Sequence, residues 1–252
     1  MYDLSGPMAR RSGEAEAGVG RLMADAAPPA LLARLKTCVE HFNGQGGLRL
    51  YPGSPVLAAA QMRPSDRLIA YELRVEDAKT LVEALGGDVA QVNPARRTAV
   101  GADTPQSAAE RTQVRVADGY AHAFADDPAD AAVACLVDAP FETGLDAERI
   151  HAFTRRCLES RPGAVLAVWA PLKDLESYDH LLRGLEAAGG RRPLNIVSAE
   201  VRLRSLMDPL RMNGCAMILV NAPLDLGALE DACGWIVRTC GDADGRALIR
   251  RL

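Results

Sequence analysis

Aromatic residues are scarce. Four Phe, five Tyr and two Trp make up only 4% of the 252 residues, while Ala and Arg abound, a bias that reads as GC-rich coding rather than as a functional signal. Histidine is equally sparse, and His41, His122, His151 and His180 lie at no metal-ligand spacing. The six cysteines, at 38, 135, 157, 215, 233 and 240, form no C-x-x-C pair. Cys135 and Cys215 fall inside apolar runs, so free buried thiols are expected, with no disulfide framework and no metal site. No apolar run reaches the length that spans a bilayer, and Met1-Tyr-Asp-Leu-Ser-Gly6 has no signal-peptide pattern. The expectation is a cytoplasmic protein without a membrane partner. Net charge is −4, so no general basic field attracts nucleic acid, although a local basic patch stays open. Finally, no G-x-G-x-x-G follows a strand-like run. Gly18-Val-Gly20 and Gly44-Gln-Gly46-Gly47 read as helix breakers.

What is present is an alternation of helical and strand patterns. Residues 9–43 read as two helices broken at Pro28-Pro29, the second over Ala30–His41. Ser54 reads as the cap of a helix reaching Gln61, with Pro55 in its first position. Strands are predicted at Arg67–Glu72, Thr112–Val116, Ala131–Val137, Ala164–Trp169, Leu194–Leu203, Ala216–Val220 and Arg246–Leu252. Helices are predicted at Glu76–Leu85, Ala147–Ser160, Asp174–Ala188 and Leu226–Thr239, and residues 88–111 read as a surface loop. This order implies an α/β fold, Rossmann-like and doubly wound, with a mostly parallel sheet. A single domain over 1–252 would carry a small helical subdomain over about 9–62 and the sheet over 63–252.

The most telling stretch is Ala131-Ala-Val-Ala-Cys-Leu-Val137 followed by Asp138-Ala-Pro-Phe141. The uncharged run reads as a central strand buried on both faces. Ligands of open α/β sheets bind beyond the carboxyl ends of the strands, which is where Asp138 and Phe141 fall. An acceptor, a rigid turn and a flat ring suit a planar base with an exocyclic amine.

Together, a series of stretches resembles the bacterial 23S rRNA adenine-N6 methyltransferase family, which uses S-adenosyl-L-methionine. They are Tyr2-Asp-Leu, His41-Phe-Asn43, Leu48-Arg49, Tyr51-Pro-Gly-Ser-Pro55, Glu72-Leu73 with Asp77, Ala117-Asp-Gly-Tyr120, Asp138-x-Pro-Phe141, Trp169-x-Pro-x-Lys173, Asn213-Gly214 and Asn221-x-Pro223. The resemblance covers nearly the whole chain in the family's order. It differs in three places. The family's N-terminal helix and glycine-rich loop would precede Tyr2, the family's Asp-Pro-Pro-Tyr is Asp-Ala-Pro-Phe here, and residues 88–111 are longer than the usual connection.

The resemblance implies roles for individual residues. Asp138 would accept a hydrogen bond from the target amine beside the Ala139 carbonyl, and Phe141 would stack on the flipped-out base. Their residue types fit equally a turn cap and a core ring. Glu72 would bind the cofactor's ribose hydroxyls, or be a solvated surface glutamate. Asp118 and Gly119 would meet the cofactor's adenine, or form a plain Asp-Gly turn. Ser54 would touch cofactor from a helix N-terminus, and Asp138 would also border the cofactor. Arg191, Arg192, Arg202, Arg204 and Arg211 would contact rRNA phosphates or form a solvated face. Glu72, Asp118 and Asp138 are expected to converge at one sheet edge. Two other readings stay open: a non-catalytic remnant binding RNA or a partner, and an N6-adenine methyltransferase acting on DNA or another RNA.

Overall fold

The computed structural model describes residues 1–6, 13, 15–44, 46–86, 111–122, 131–207 and 213–252. It divides into two compact units, Met1–Pro28 with Leu32–His122, and Pro29–Leu31 with Ala123–Leu252. The predicted 88–111 loop falls almost wholly outside the described residues, and so does Arg211.

In the first unit, strand β1 (Tyr2–Asp3) is followed by a π-helical turn (Glu16–Gly20) and by helices α1 (Arg21–Ala24) and α2 (Ala30–Asn43). Next come β2 (Leu50–Tyr51), α3 (Ser54–Gln61), β3 (Leu68–Glu72), α4 (Val75–Gly86), β4 (Thr112–Val116) and α5 (Gly119–His122). Strand β1 pairs antiparallel with β2, and β3 pairs parallel with β4 from Leu68↔Thr112 to Glu72↔Val116. A small core gathers Val56, Ala59 and Leu85, packed against Phe42, Leu68, Leu81 and Val114. One prediction changes here. Gly53, in extended conformation, is the N-cap of α3, and Ser54 is already helical, so the expected serine cap moves back one residue. A Cβ there would sit 3.3 Å from the ring of exposed Tyr2, a tight contact that a small shift of that ring relieves.

The second unit contains β5 (Ala134–Val137), α6 (Asp146–Ser160), β6 (Val165–Pro171), α7 (Leu175–Ala188), β7 (Ile196–Arg202), β8 (Gly214–Val220), α8 (Leu226–Cys240) and β9 (Arg246–Arg251). Its five-stranded sheet runs β5-β6-β8-β7-β9. Only β5 and β6 are parallel; β6–β8, β8–β7 and β7–β9 are antiparallel. The expected mostly parallel sheet therefore holds for β3–β4 and β5–β6 alone. Strands β7 and β8 are consecutive and pair directly, whereas β8 reaches β6 and β9 reaches β7 only because α7 and α8 carry the chain across the sheet between them.

Helices cover both faces of this sheet. Helix α8 packs Cys233 and Val237 on Ala199 and Val201, while α7 presents Tyr178 to Ser198 on the opposite face. The burial of the α7 stripe Tyr178, Leu181, Leu182 and Leu185 follows helical spacing. The expectation of a central strand buried on both faces is corrected at β5. Among the described residues β5 pairs only with β6, and Leu136 is 49% exposed. A strand with one ladder partner is an edge, and its outer residues stay wet.

Candidate active site

Parallel pairing brings the carboxyl ends of β3 and β4 side by side in the first unit. Glu72 closes β3, and the Ala117 amide donates to the Glu72 carbonyl at 3.1 Å, which sets Asp118 and Gly119 beside that strand end. The Glu72 Oε1 atom accepts the Arg74 amide at 2.9 Å. This orients the carboxylate, and its other oxygen has no partner among the described residues. Asp118 Oδ1 accepts the Tyr120 amide at 2.9 Å and starts α5. Gly119 packs closely, since a Cβ there would lie 3.0 Å from the Tyr71 Cβ. The two acids thus combine the local turn role with a shared position at one sheet end. Ser54 lies in the first turn of α3, where free helix amides concentrate.

In the second unit, Val137 ends β5 opposite Val168 of β6, so Asp138 follows directly at the strand's carboxyl end. Its side chain is open to solvent, yet partial desolvation still raises its pKa above the ordinary carboxylate value. Ala139, which stands where the resembling motif has a second proline, is buried at 6% exposure. Phe141 then adopts φ +49°, the left-handed region that non-glycine residues rarely enter. Its ring meets Trp169 edge-on, with centroids 6.3 Å apart, and its carbonyl accepts a hydrogen bond from Lys173 Nζ at 2.7 Å. Asp146 is buried and accepts the Thr143 amide at 2.9 Å, closing the loop into α6.

Other residues that looked functional by pattern turn out to build the frame. Gly214 allows β7 and β8 to touch, because a Cβ there would collide with the Val201 carbonyl. The Gly214 carbonyl accepts the Leu172 amide at 3.0 Å and fixes the exit of β6. Asn221 adopts φ +55° and ties the end of β8 to the Ala164 carbonyl at 3.2 Å. Arg202, expected on rRNA phosphates, instead pairs with fully buried Glu200 at 2.6 Å. Arg191 and Arg192 are exposed. Sequence reasoning assigned no role to Lys173, Trp169 or Glu200; the Trp-x-Pro-x-Lys spacing was the available signal for the first two.

A cavity of about 440 Å³ near the start of the first unit is lined by Gly13, Glu16, Ala17, Gly20, Arg21 and Ala24, and includes none of the predicted site residues. Among the described residues no group of three His, Cys, Asp or Glu is placed to hold a metal, and no helix is long and apolar enough to cross a membrane.

Comparison with known proteins decides the family. The profile of the family described as ribosomal RNA large subunit methyltransferase D, RlmJ, matches residues 1–101 and 102–251. The chain belongs to this family. It is 28% identical over 226 residues to the ribosomal RNA large subunit methyltransferase J of Escherichia coli (strain K12), covering 89% of this chain and 72% of that protein. The protein of the same name from Haemophilus influenzae (strain ATCC 51907 / DSM 11121 / KW20 / Rd) is 26% identical over 227 residues, with the same coverage. In fold, this member of the RlmJ family resembles a crystal structure from Legionella pneumophila str. Philadelphia 1 assigned to the family DUF519. The TM-score is 0.79 at 19% identity, covering 99% of this chain and 84% of that one. The reading as an rRNA methyltransferase, made from the motifs, agrees with this membership.

Proposed function

We propose that the chain transfers a methyl group from S-adenosyl-L-methionine to N6 of an adenine in 23S rRNA, in the cytoplasm, acting on protein-free or early-assembly rRNA. The observation that carries this reading is the Asp138–Phe141 turn: a partly desolvated carboxylate, a buried Ala139 and a ring held in a left-handed backbone, all at the carboxyl end of β5. Methylating an exocyclic amine demands little acid or base strength. It demands that the nitrogen lone pair be directed in line at the methyl carbon. The Asp138 carboxylate and the Ala139 carbonyl accept the two N–H bonds of the amine and so turn its lone pair outward. Phe141 stacks on the base that has left its helix.

The residues present fit the cofactor by their chemistry. Glu72 offers a carboxylate oxygen to ribose hydroxyls, and Asp118 and Gly119 lie at the neighbouring strand end for the adenine; Ser54 in the first unit and Asp138 in the second are further proposed contacts. When bound, S-adenosyl-L-methionine supplies an electrophilic methyl group on a sulfonium. The target amine would gain the methyl group and lose one proton to solvent, so Asp138 would need only to hold and orient that amine.

The net charge of −4 favours a local RNA contact over a general one, and exposed Arg191 and Arg192 are its first candidates. Membership in a family of ribosomal RNA methyltransferases favours rRNA over DNA. The test is methyl transfer to protein-free 23S rRNA, with the modified nucleoside identified by mass spectrometry. N6-methyladenosine in rRNA, lost in Asp138→Asn, is the expected result. A methylated cytosine, or equal transfer to duplex DNA, would overturn the proposal.

A further inference from the structure

Lys173 belongs to the Trp169-x-Pro171-x-Lys173 run at the exit of β6, and the methyl-transfer scheme above gives it no part. Its ammonium donates to the carbonyl of Phe141 at 2.7 Å, while Trp169, four residues earlier, meets the ring of the same phenylalanine. One strand end therefore grips both the backbone and the ring of one residue. That residue has φ +49°, a conformation an L side chain leaves readily unless its surroundings hold it.

The grip starts from a rigid base. Leu172 is buried at 1% exposure and its amide is bonded to the Gly214 carbonyl, so the chain entering Lys173 is fixed by the sheet. On the other side, Asp174 caps α7 by accepting the Ser177 amide at 2.7 Å and the Ser177 hydroxyl at 2.7 Å. The neighbouring carboxylate is thus engaged with the helix, and the Lys173 backbone is pinned between a strand end and a helix start. Only its exposed, flexible stem can move.

We propose that Lys173 is a positioning residue for methyl transfer: it clamps the Phe141 carbonyl, keeping the ring at the angle that receives the target base and the preceding Asp138–Pro140 turn in its reactive shape. The inference rests on the proposed role of the Asp138–Phe141 turn. The competing role for an exposed lysine in an RNA-modifying enzyme is a phosphate contact, and the two differ in what they change. A clamp acts on kcat. A phosphate contact acts on RNA affinity and on its salt dependence, by a slope of about 1 per contact.

The experiment uses the full chain with Trp235→Phe, so that Trp169 is the only indole, and compares Lys173→Met, Lys173→Gln and Lys173→Arg. Expected are a fall in kcat on 23S rRNA of about 10- to 100-fold for Met and Gln, unchanged KM for the cofactor, and an unchanged salt slope of RNA binding. Trp169 emission should shift in both variants, and Arg should recover most of the rate and the parent spectrum. Thermal unfolding of each variant excludes a folding defect, which is unexpected at an exposed side chain. Parent-like kcat in Lys173→Met, unchanged Trp169 emission, or a loss confined to RNA affinity with a shallower salt slope would each overturn the clamp while leaving the methyltransferase reading intact. If the Trp235→Phe chain and its unsubstituted parent both fail to methylate adenine in rRNA, the reading itself falls, and the clamp as a device of that reaction falls with it.

Discussion

Asn43 and Leu50 bond to each other twice: the Asn43 Oδ1 atom accepts the Leu50 amide at 2.7 Å, and its Nδ2 donates to the Leu50 carbonyl at 2.8 Å. The same side chain also accepts the Arg49 amide and donates to the Val39 carbonyl, both at 2.7 Å. All four hydrogen-bonding positions of the amide are used. The asparagine of the His41-Phe-Asn43 run thus ends α2 and places β2, which pairs with Tyr2 and leads into Tyr51-Pro-Gly-Ser-Pro55. Asn43→Ala should cost about 2–3 kcal/mol, at roughly 1 kcal/mol per net bond with part of the group exposed. Asn43→Asp keeps the two accepted bonds but sets its second carboxylate oxygen against the Val39 and Leu50 carbonyls, so it should cost at least as much. Urea unfolding of the three proteins checks the order, and an alanine variant as stable as the parent would refute the role.

Asp138 carries opposite consequences for stability and activity. Its folded pKa is raised by desolvation, so the folded state holds this proton more tightly than the unfolded chain. Its contribution to stability is present below the unfolded carboxylate pKa and is lost as pH rises through the folded value. Asp138→Asn should therefore raise Tm at neutral pH while lowering kcat by about 100-fold or more. In the parent, kcat/KM should fall on the acid side at a pH above the usual aspartate range. A variant with reduced Tm and intact kcat would contradict both halves.

Glu200 is fully buried in β7 and is held by Arg202 at 2.6 Å and by both Nε and NH2 of Arg250. Ser198 Oγ donates to it at 3.2 Å and is itself bonded to the Tyr178 hydroxyl at 2.6 Å. Glu200→Ala leaves the partly exposed Arg202 and Arg250 without their shared carboxylate and should cost about 2–3 kcal/mol. Burial, the leading cause, pushes the Tyr178 pKa up to about 12 from 10.0. The folded state keeps the phenol proton longer than the unfolded chain, so this contribution is full below pH 10 and is lost between pH 10 and about 12. Tyr178→Phe should flatten that part of the alkaline stability profile. Identical profiles for the two proteins would exclude Tyr178 as its source.

His151 of α6 lies over Gly184 of α7, where any Cβ would overlap its imidazole ring. Its Nε2 meets the Leu181 carbonyl at 3.0 Å, and His180, paired with Glu148, faces it at a centroid distance of 5.4 Å. Gly184→Ala should destabilise by about 1–3 kcal/mol, and His151→Ala in the same chain should recover part of the loss. Desolvation lowers the His151 pKa below 6.5, ahead of the opposing bond to Leu181. Its contribution is full above pH 6.5 and is lost as pH falls through the lowered folded value. Chemical unfolding between pH 5 and 7 tests the sign, with His151→Gln as the reference.

Much of the second unit was legible in the chain itself. The apolar spacing of α6, α7 and α8 survives burial, and the predicted ends of these helices lie within a residue of the observed ones. Asp174 and Asp225 cap α7 and α8 as short acceptors before helical stripes do. Asp138 at a strand end was equally legible, because an uncharged run that stops at an acid marks that end without reference to any neighbour.

Strand order was not legible. Nothing local in Ala216–Val220 says that it lies between β6 and β7, since antiparallel insertion is decided by which edges meet once the helices have covered the faces. The exposure of Leu136 likewise depends on what lies beside β5, a non-local fact. The sequence by itself determined the longer helices, the carboxyl ends of β3, β4, β5 and β8, and the family to which its motifs point. Only the tertiary structure decided that Asn43, Gly214 and Asn221 are frame residues, that Arg202 serves Glu200, and that Lys173 reaches back 32 residues to Phe141. The reason is range: capping and periodicity act within a few residues, whereas these partners are chosen by packing between segments far apart in the chain.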